Sequence, residues 1–272
     1  MKNIKLKSGD KIPALGLGTW QNNGKNCINS VKKAIELGYT HIDTADAYNN
    51  HKEVGKGIKK SGINRENLFL TTKIWRENLS YSKVISSGKR FLKELDTEYL
   101  DLLLIHWPNQ SIPISETLKG MEELKNEGIV KNIGVSNFTI NHLKEALEVN
   151  EDLITVNQVE FHPYLYQKKL LNFCQNNDIV ITAYSPLARG EIFNDDTFKE
   201  LSEKYDKSPA QLSLKWLVDK DIVVIPKASS ESHIKDNMKI FDWKLPDKAK
   251  EKLDNMNKNK RIIDPPFGEF NY

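Results

Sequence analysis

Eight short runs rich in β-branched, leucine and aromatic residues punctuate the chain, and between them apolar positions recur every three or four residues. The runs are "ALGLGTW" (14–20), "YTHIDTA" (39–45), "LFLTTKI" (68–74), "YLDLLLIHW" (99–107), "VKNIGVSN" (130–137), "ITVNQVEF" (154–161), "DIVITAYS" (178–185) and "IVVIPK" (222–227). Apolar runs of this length read as buried strands, and the recurrence at three and four reads as amphipathic helix. "NCINSVKKAIELG", "YSKVISSGKRFLKEL" and "ISETLKGMEELKNEG" are such helices, the first and third closed by glycine. Strand following helix eight times predicts right-handed parallel crossovers and an α/β fold, a (β/α)8 TIM barrel.

Additions decorate this pattern. "IKLKSGDKIPAL" predicts an N-terminal hairpin with Gly9 and Asp10 at its turn, placed to plug the bottom of the barrel. Two helical patterns separate the seventh and eighth runs, and Pro246 opens a last helix before the irregular tail "RIIDPPFGEFNY". No linker or short-period repeat interrupts the chain, so residues 1–272 read as a single barrel domain. An open dinucleotide-binding sheet is the rival. Gly16 and Gly18 begin its fingerprint, but Gln21 stands where the third glycine belongs.

Composition narrows the class. A hydrophobic fraction of 39% with 28% charged residues suits a soluble protein with a sizeable core. The formal charge of +3 is spread along the chain, which argues against a nucleic-acid partner. "MKNIKLKSGDK" has no apolar signal core and no apolar run is long enough to span a bilayer, so the expectation is a cytoplasmic protein without a membrane partner. Cys27 and Cys174 provide neither a disulfide framework nor a metal-ligand spacing. A monomer is the default.

Chemistry in a parallel barrel gathers at the C-terminal ends of its strands. Asp43, Lys73 and His106 close the second, third and fourth runs, and strand alternation turns all three toward the mouth; Tyr48 follows in the loop after Asp43. Singly, each has a plainer reading as a cap, a solvated charge or a core histidine. Together on successive strands they point to a site. His41, Asp43 and His106 could hold a metal, but the Lys73 charge opposes a cation. Lys73 as a Schiff base would have to be neutral, and Asp43 favours the ammonium. The remaining reading makes Tyr48 a general acid, with Asp43 positioning Lys73, Lys73 lowering the phenol pKa, and His106 orienting a carbonyl oxygen.

With those residues in place, the chain resembles an aldo-keto reductase, near the short bacterial diketogluconate and methylglyoxal reductases. "GYTHIDTADAY" with "VGKGI", "TTKIW", "DLLLIHWP", "KNIGVSNF", "NQVEFHPY", "AYSPL" and "VIPKASS" followed by "DN" carry the likeness along nearly the whole chain. The resemblance implies reduction of aldehydes and ketones by NADPH, with NADH weaker, on small carbonyls, dicarbonyls or keto-sugar acids. It maps a catalytic tetrad onto Asp43, Tyr48, Lys73 and His106. For the cofactor it implies Ser136, Asn137 and Gln158 at the nicotinamide carboxamide and Tyr184 stacked on the ring. Ser185 and Leu187 would meet the pyrophosphate, Lys227, Ser229, Ser230 and His233 the adenosine phosphate, and Asn237 the adenine; Thr19, Trp20 and Asp43 complete the set. The short loop after Trp107 and the modest tail imply an open pocket walled by Trp20, Ala47, Trp75 and Trp107, with Arg76 and Arg189 near enough in sequence to meet a carboxylate. His233 stands where the family usually has arginine, and Ala228 where serine is common, so Lys227 becomes the main fixed charge at the phosphate. The competing reading is a non-catalytic NADP(H)-binding regulatory or redox-sensing subunit, which the intact tetrad disfavours.

Overall fold

In the computed structural model, which describes residues 2–272, an antiparallel hairpin precedes the barrel. Its strands β1 (Asn3–Lys5) and β2 (Lys11–Pro13) pair Ile4 with Ile12 around a turn in which Gly9 takes φ +97°. Eight parallel strands follow: β3 (Leu17–Gly18), β4 (His41–Asp43), β5 (Phe69–Ile74), β6 (Leu100–Ile105), β7 (Val130–Ser136), β8 (Ile154–Glu160), β9 (Val180–Tyr184) and β10 (Val223–Val224). Each of the eight runs read as a strand contains one of them. Neighbours in sequence are neighbours in the sheet, and parallel bridges Leu15–Val224 and Gly18–Lys227 bring its two edges together.

Close approach of the strands on either side explains the glycines of "GLG". A Cβ on Gly18 would lie 2.6 Å from the Ile225 carbonyl oxygen, and one on Gly16 would lie 2.6 Å from the His41 ring. They allow close approach across the barrel and do not belong to a phosphate loop.

The helices are α1 (Gly24–Glu36), α2 (His51–Ser61), α3 (Tyr81–Leu95), α4 (Ile114–Asn126), α5 (Ile140–Val149), α6 (Lys168–Asn176), α7 (Asp196–Tyr205), α8 (Pro209–Val218), α9 (Glu231–Met238) and α10 (Asp247–Asp254). Local chemistry fixes their ends: Ser208 and Gln211 form a capping box with Pro209 in the first turn of α8, and Gly62 ends α2 in the left-handed region. The main core lies between strands and helices. A second cluster, Leu6, Ile12, Phe69, Leu102, Leu104, Val156 and Val223, fills the barrel from below, so the hairpin does plug that end. The opposite end is left for polar side chains.

Candidate active site

Asp43 and Lys73 close strands whose register pairs Asp43 with Thr71, so both side chains rise into the mouth on one side. Lys73 Nζ donates to Asp43 Oδ1 at 2.6 Å and to the Thr44 carbonyl at 2.8 Å, while Gln158 Nε2 donates to Asp43 Oδ2 at 2.7 Å. Lys73 is 0% exposed and Asp43 1%. A buried ion pair is tolerable when most of its remaining donors and acceptors are satisfied, as here. One Lys73 N–H stays uncommitted, and its nitrogen stands 5.1 Å from the centroid of the Tyr48 ring.

Tyr48 ends a three-residue 3-10 turn, Asp46–Tyr48, beyond β4. Its ring lies edge-on to His106, with centroids 5.7 Å apart, and no described residue hydrogen-bonds its hydroxyl. Burial pushes the Tyr48 phenol well above its ordinary pKa, and the Asp43 carboxylate acts in the same direction. The expectation that Lys73 brings this pKa down is thereby corrected: desolvation, with the Asp43 carboxylate acting in the same direction, outweighs the ammonium.

His106 is pulled well below the usual imidazole pKa by burial and then by Lys73, so the ring is neutral. Its Nδ1 is buried without a partner. A proton on Nδ1 would be an orphaned buried donor, so the tautomer we assign carries it on Nε2, the nitrogen left to face the mouth.

The groups expected at the nicotinamide form one network with this pair. Ser136 Oγ donates to the Gln158 carbonyl, Asn137 Nδ2 to the His106 carbonyl at 2.9 Å, and the Tyr184 hydroxyl to Asn137 Oδ1 at 2.7 Å. Thr19 Oγ1 donates to the Asp43 carbonyl. Tyr184, the last residue of β9, is partly exposed. In the loop after β9, Ser185, Ala188 and Arg189 all take positive φ, 47°, 46° and 50°, and Ser213 Oγ anchors that loop through the Pro186 carbonyl. Such conformations in residues other than glycine cost energy and cluster at functional sites. Half-buried Leu187 lies within the loop.

After β10, Lys227 Nζ has only the Gln21 carbonyl as partner, and Ser229 and His233 are exposed. Ser230 caps α9 through the His233 amide. Asn237 is 3% exposed beside buried Tyr39. Arg189 adds a second cation, its guanidinium 4.5 Å from the Trp20 ring. Two cations without a carboxylate partner among the described residues, with hydroxyls between the strand ends, fit a phosphate-bearing dinucleotide, and the loops after the seventh and eighth barrel strands are a frequent phosphate site in this fold.

A family model described as "Aldo/keto reductase family" matches residues 14–258. The chain belongs to that family. This aldo-keto reductase is 41% identical over 260 residues to glyoxal reductase of Bacillus subtilis (strain 168), covering 95% of this chain and 94% of the relative. It is 38% identical to methylglyoxal reductase DkgA of Escherichia coli (strain K12), over 97% and 96% of the two chains. The crystal structure of a Bombyx mori aldo-keto reductase in complex with NADP superposes with a TM-score of 0.91 at 33% identity, covering 97% of this chain and 95% of that one.

Of the reductase's expected pocket walls, Trp20 is 39% exposed, Ala47 is exposed and Trp75 lies edge-on to His106 at 5.3 Å. Trp107 departs from the expectation. It is only 5% exposed because Phe267 and Phe270 of the tail pack edge-on against it, at 5.4 and 5.7 Å. Phe267 also meets Trp75 at 5.7 Å, so the tail supplies a wall that the sequence pattern did not reveal. Buried Glu160 pins this tail by accepting from the Ile262 and Ile263 amides at 2.8 Å each. Arg76 is committed to Glu269 at 3.5 Å and to the face of Phe267.

Proposed function

We propose that the chain, as one barrel domain over residues 1–272, reduces small aldehydes and ketones with NADPH, dicarbonyls foremost. The observation that carries this reading is the buried, hydrogen-bonded Asp43–Lys73 pair, with one Lys73 N–H left free, beside a Tyr48 hydroxyl that has no partner among the described residues. NADPH, when bound, would supply the hydride for the carbonyl carbon. Ser136, Asn137 and Gln158 would hold its carboxamide and Tyr184 its ring face. His106 Nε2–H holds the carbonyl oxygen toward Tyr48, whose hydroxyl gives that oxygen its proton, and Lys73 stabilises the phenolate left behind. Relatives named glyoxal and methylglyoxal reductase support the dicarbonyl preference.

A panel of glyoxal, methylglyoxal, longer aldehydes and keto-sugar acids compared by kcat/KM tests this. The expected order places the two small dicarbonyls first, and uniformly negligible rates would overturn the proposal. A monomer in the cytoplasm completes the reading; Cys27 and Cys174, buried and unpaired, suit a compartment that keeps thiols reduced. No helix among the described residues is long and apolar enough to cross a membrane.

Two further outcomes follow from the site. Because Tyr48 is held protonated and His106 neutral, kcat/KM for reduction should stay flat from about pH 6 to about pH 9. A sigmoid centred near neutrality would show an imidazole titrating and contradict the His106 assignment. At the adenosine phosphate, Arg in place of His233 adds a permanently charged fork beside Lys227. His233→Arg should raise the NADPH-over-NADH preference about tenfold, measured as the ratio of the two dissociation constants. An unchanged ratio would mean that position 233 does not face the phosphate.

A further inference from the structure

Among the ionisable groups of the stretch from His41 to Ile58 that proton delivery leaves unused, Asp46 and His51 belong to one continuous chain of contacts. Asp46 begins the 3-10 turn that Tyr48 ends. Its Oδ1 accepts from Arg90 Nη2 of α3 at 2.8 Å, and Arg90 Nη1 donates to Glu94 Oε1, one helical turn on, at 3.0 Å. Glu94 Oε2 lies 2.8 Å from His51 Nδ1, and His51 Nε2 lies 2.8 Å from Thr72 Oγ1. Thr72 is the neighbour of Lys73 on β5, on the opposite face of the strand. The chain therefore runs behind the site from the strand that carries Lys73 to the turn that carries Tyr48.

The turn needs such a brace. Asn49 follows it with φ +53°, and Asn50 locks its far side through hydrogen bonds with Thr44 Oγ1 and with the Thr19 and Asn22 carbonyls. Within the turn, Ala47 has no polar group and the Tyr48 hydroxyl has no partner among the described residues, so Asp46 supplies its one side-chain tie. The inner end of the brace is buried, with His51 4% exposed and Thr72 0%, whereas the Arg90 side chain is 42% exposed.

Resting on the tetrad reading above, we propose that Arg90, held by Glu94 and His51, is a positioning residue that sets the Tyr48 turn against Lys73 through Asp46. An outer ion pair of this exposure adds little to stability. Placement is a different matter, because an ångström of misplacement of a reacting group far outweighs the energy of the contact that prevents it.

The test compares Arg90→Gln, Asp46→Asn, the double variant and Arg90→Lys, normalised to sites titrated with NADPH. Each of the first two should lose about tenfold in kcat with NADPH affinity unchanged, and the double variant should lose no more than either. Arg90→Lys should recover part of the loss. The primary deuterium isotope effect on kcat, read with deuterated NADPH, should rise in the impaired variants as hydride and proton transfer become slower than release steps. A purely structural role would lower melting temperature and yield while leaving kcat per titrated site and the isotope effect at wild-type values, and that result overturns the proposal. Losses that multiply in the double variant overturn it too. Failure of the tetrad reading is separately visible, as wild-type turnover persisting in Tyr48→Phe.

Discussion

Tyr48→Phe should lower kcat for carbonyl reduction about 1,000-fold while leaving the NADPH dissociation constant within about twofold of wild type. The substitution removes one hydroxyl that has no hydrogen bond to any described residue, so the Asp43–Lys73–Gln158 cluster beneath keeps its geometry. Melting temperature should hardly move for the same reason. Steady-state kinetics with methylglyoxal, together with cofactor titration by fluorescence, checks both halves. A variant with near-normal kcat and intact cofactor binding would remove Tyr48 from its role as proton donor.

Lys73→Met should damage the protein in two ways at once. Asp43 would keep its hydrogen bond from Gln158 but lose the charge 2.6 Å away, and stranding one partner of a buried pair costs about 3–5 kcal/mol. Melting temperature should therefore fall clearly, unlike that of Tyr48→Phe. Turnover should fall at least about 100-fold among molecules that remain folded, because the phenolate formed on proton transfer loses its nearest cation. Thermal denaturation and kcat per NADPH-titrated site separate the two effects. A stable Lys73→Met variant with full activity would mean that the pair supports neither the fold nor the chemistry.

The parts of the molecule readable from sequence are those where local pattern carries long-range information. Eight apolar runs in alternation with helical periodicity require a parallel sheet, and parity within "HID" and "LLLIH" places Asp43 and His106 on the inward face before any contact is known. The tail was not readable. "RIIDPPFGEFNY" has no periodicity, and its place over Trp75 and Trp107 depends on Glu160, about a hundred residues earlier, meeting the Ile262 and Ile263 amides. The brace behind Tyr48 was half legible: Arg90 and Glu94 are spaced for a helical ion pair, but nothing local brings Arg90 to Asp46, 44 positions away. The direction of the Tyr48 pKa depended on depth. Charge counting sets Lys73 against the phenol, whereas burial with Asp43 at contact distance reverses the balance.

The proposed reduction delivers a hydride and a proton to opposite ends of one carbonyl at this mouth. The most direct measurement follows the hydride: glyoxal or methylglyoxal is incubated with the wild-type protein and NADPH deuterated at the transferable position of the nicotinamide, and the product is examined by mass spectrometry. Catalytic reduction predicts many equivalents of alcohol per protein, each carrying one deuterium at the former carbonyl carbon, and almost none from Tyr48→Phe. Tight NADPH binding without labelled alcohol, for these and for a broad panel of carbonyls, would contradict the account and leave a regulatory, cofactor-sensing barrel in its place.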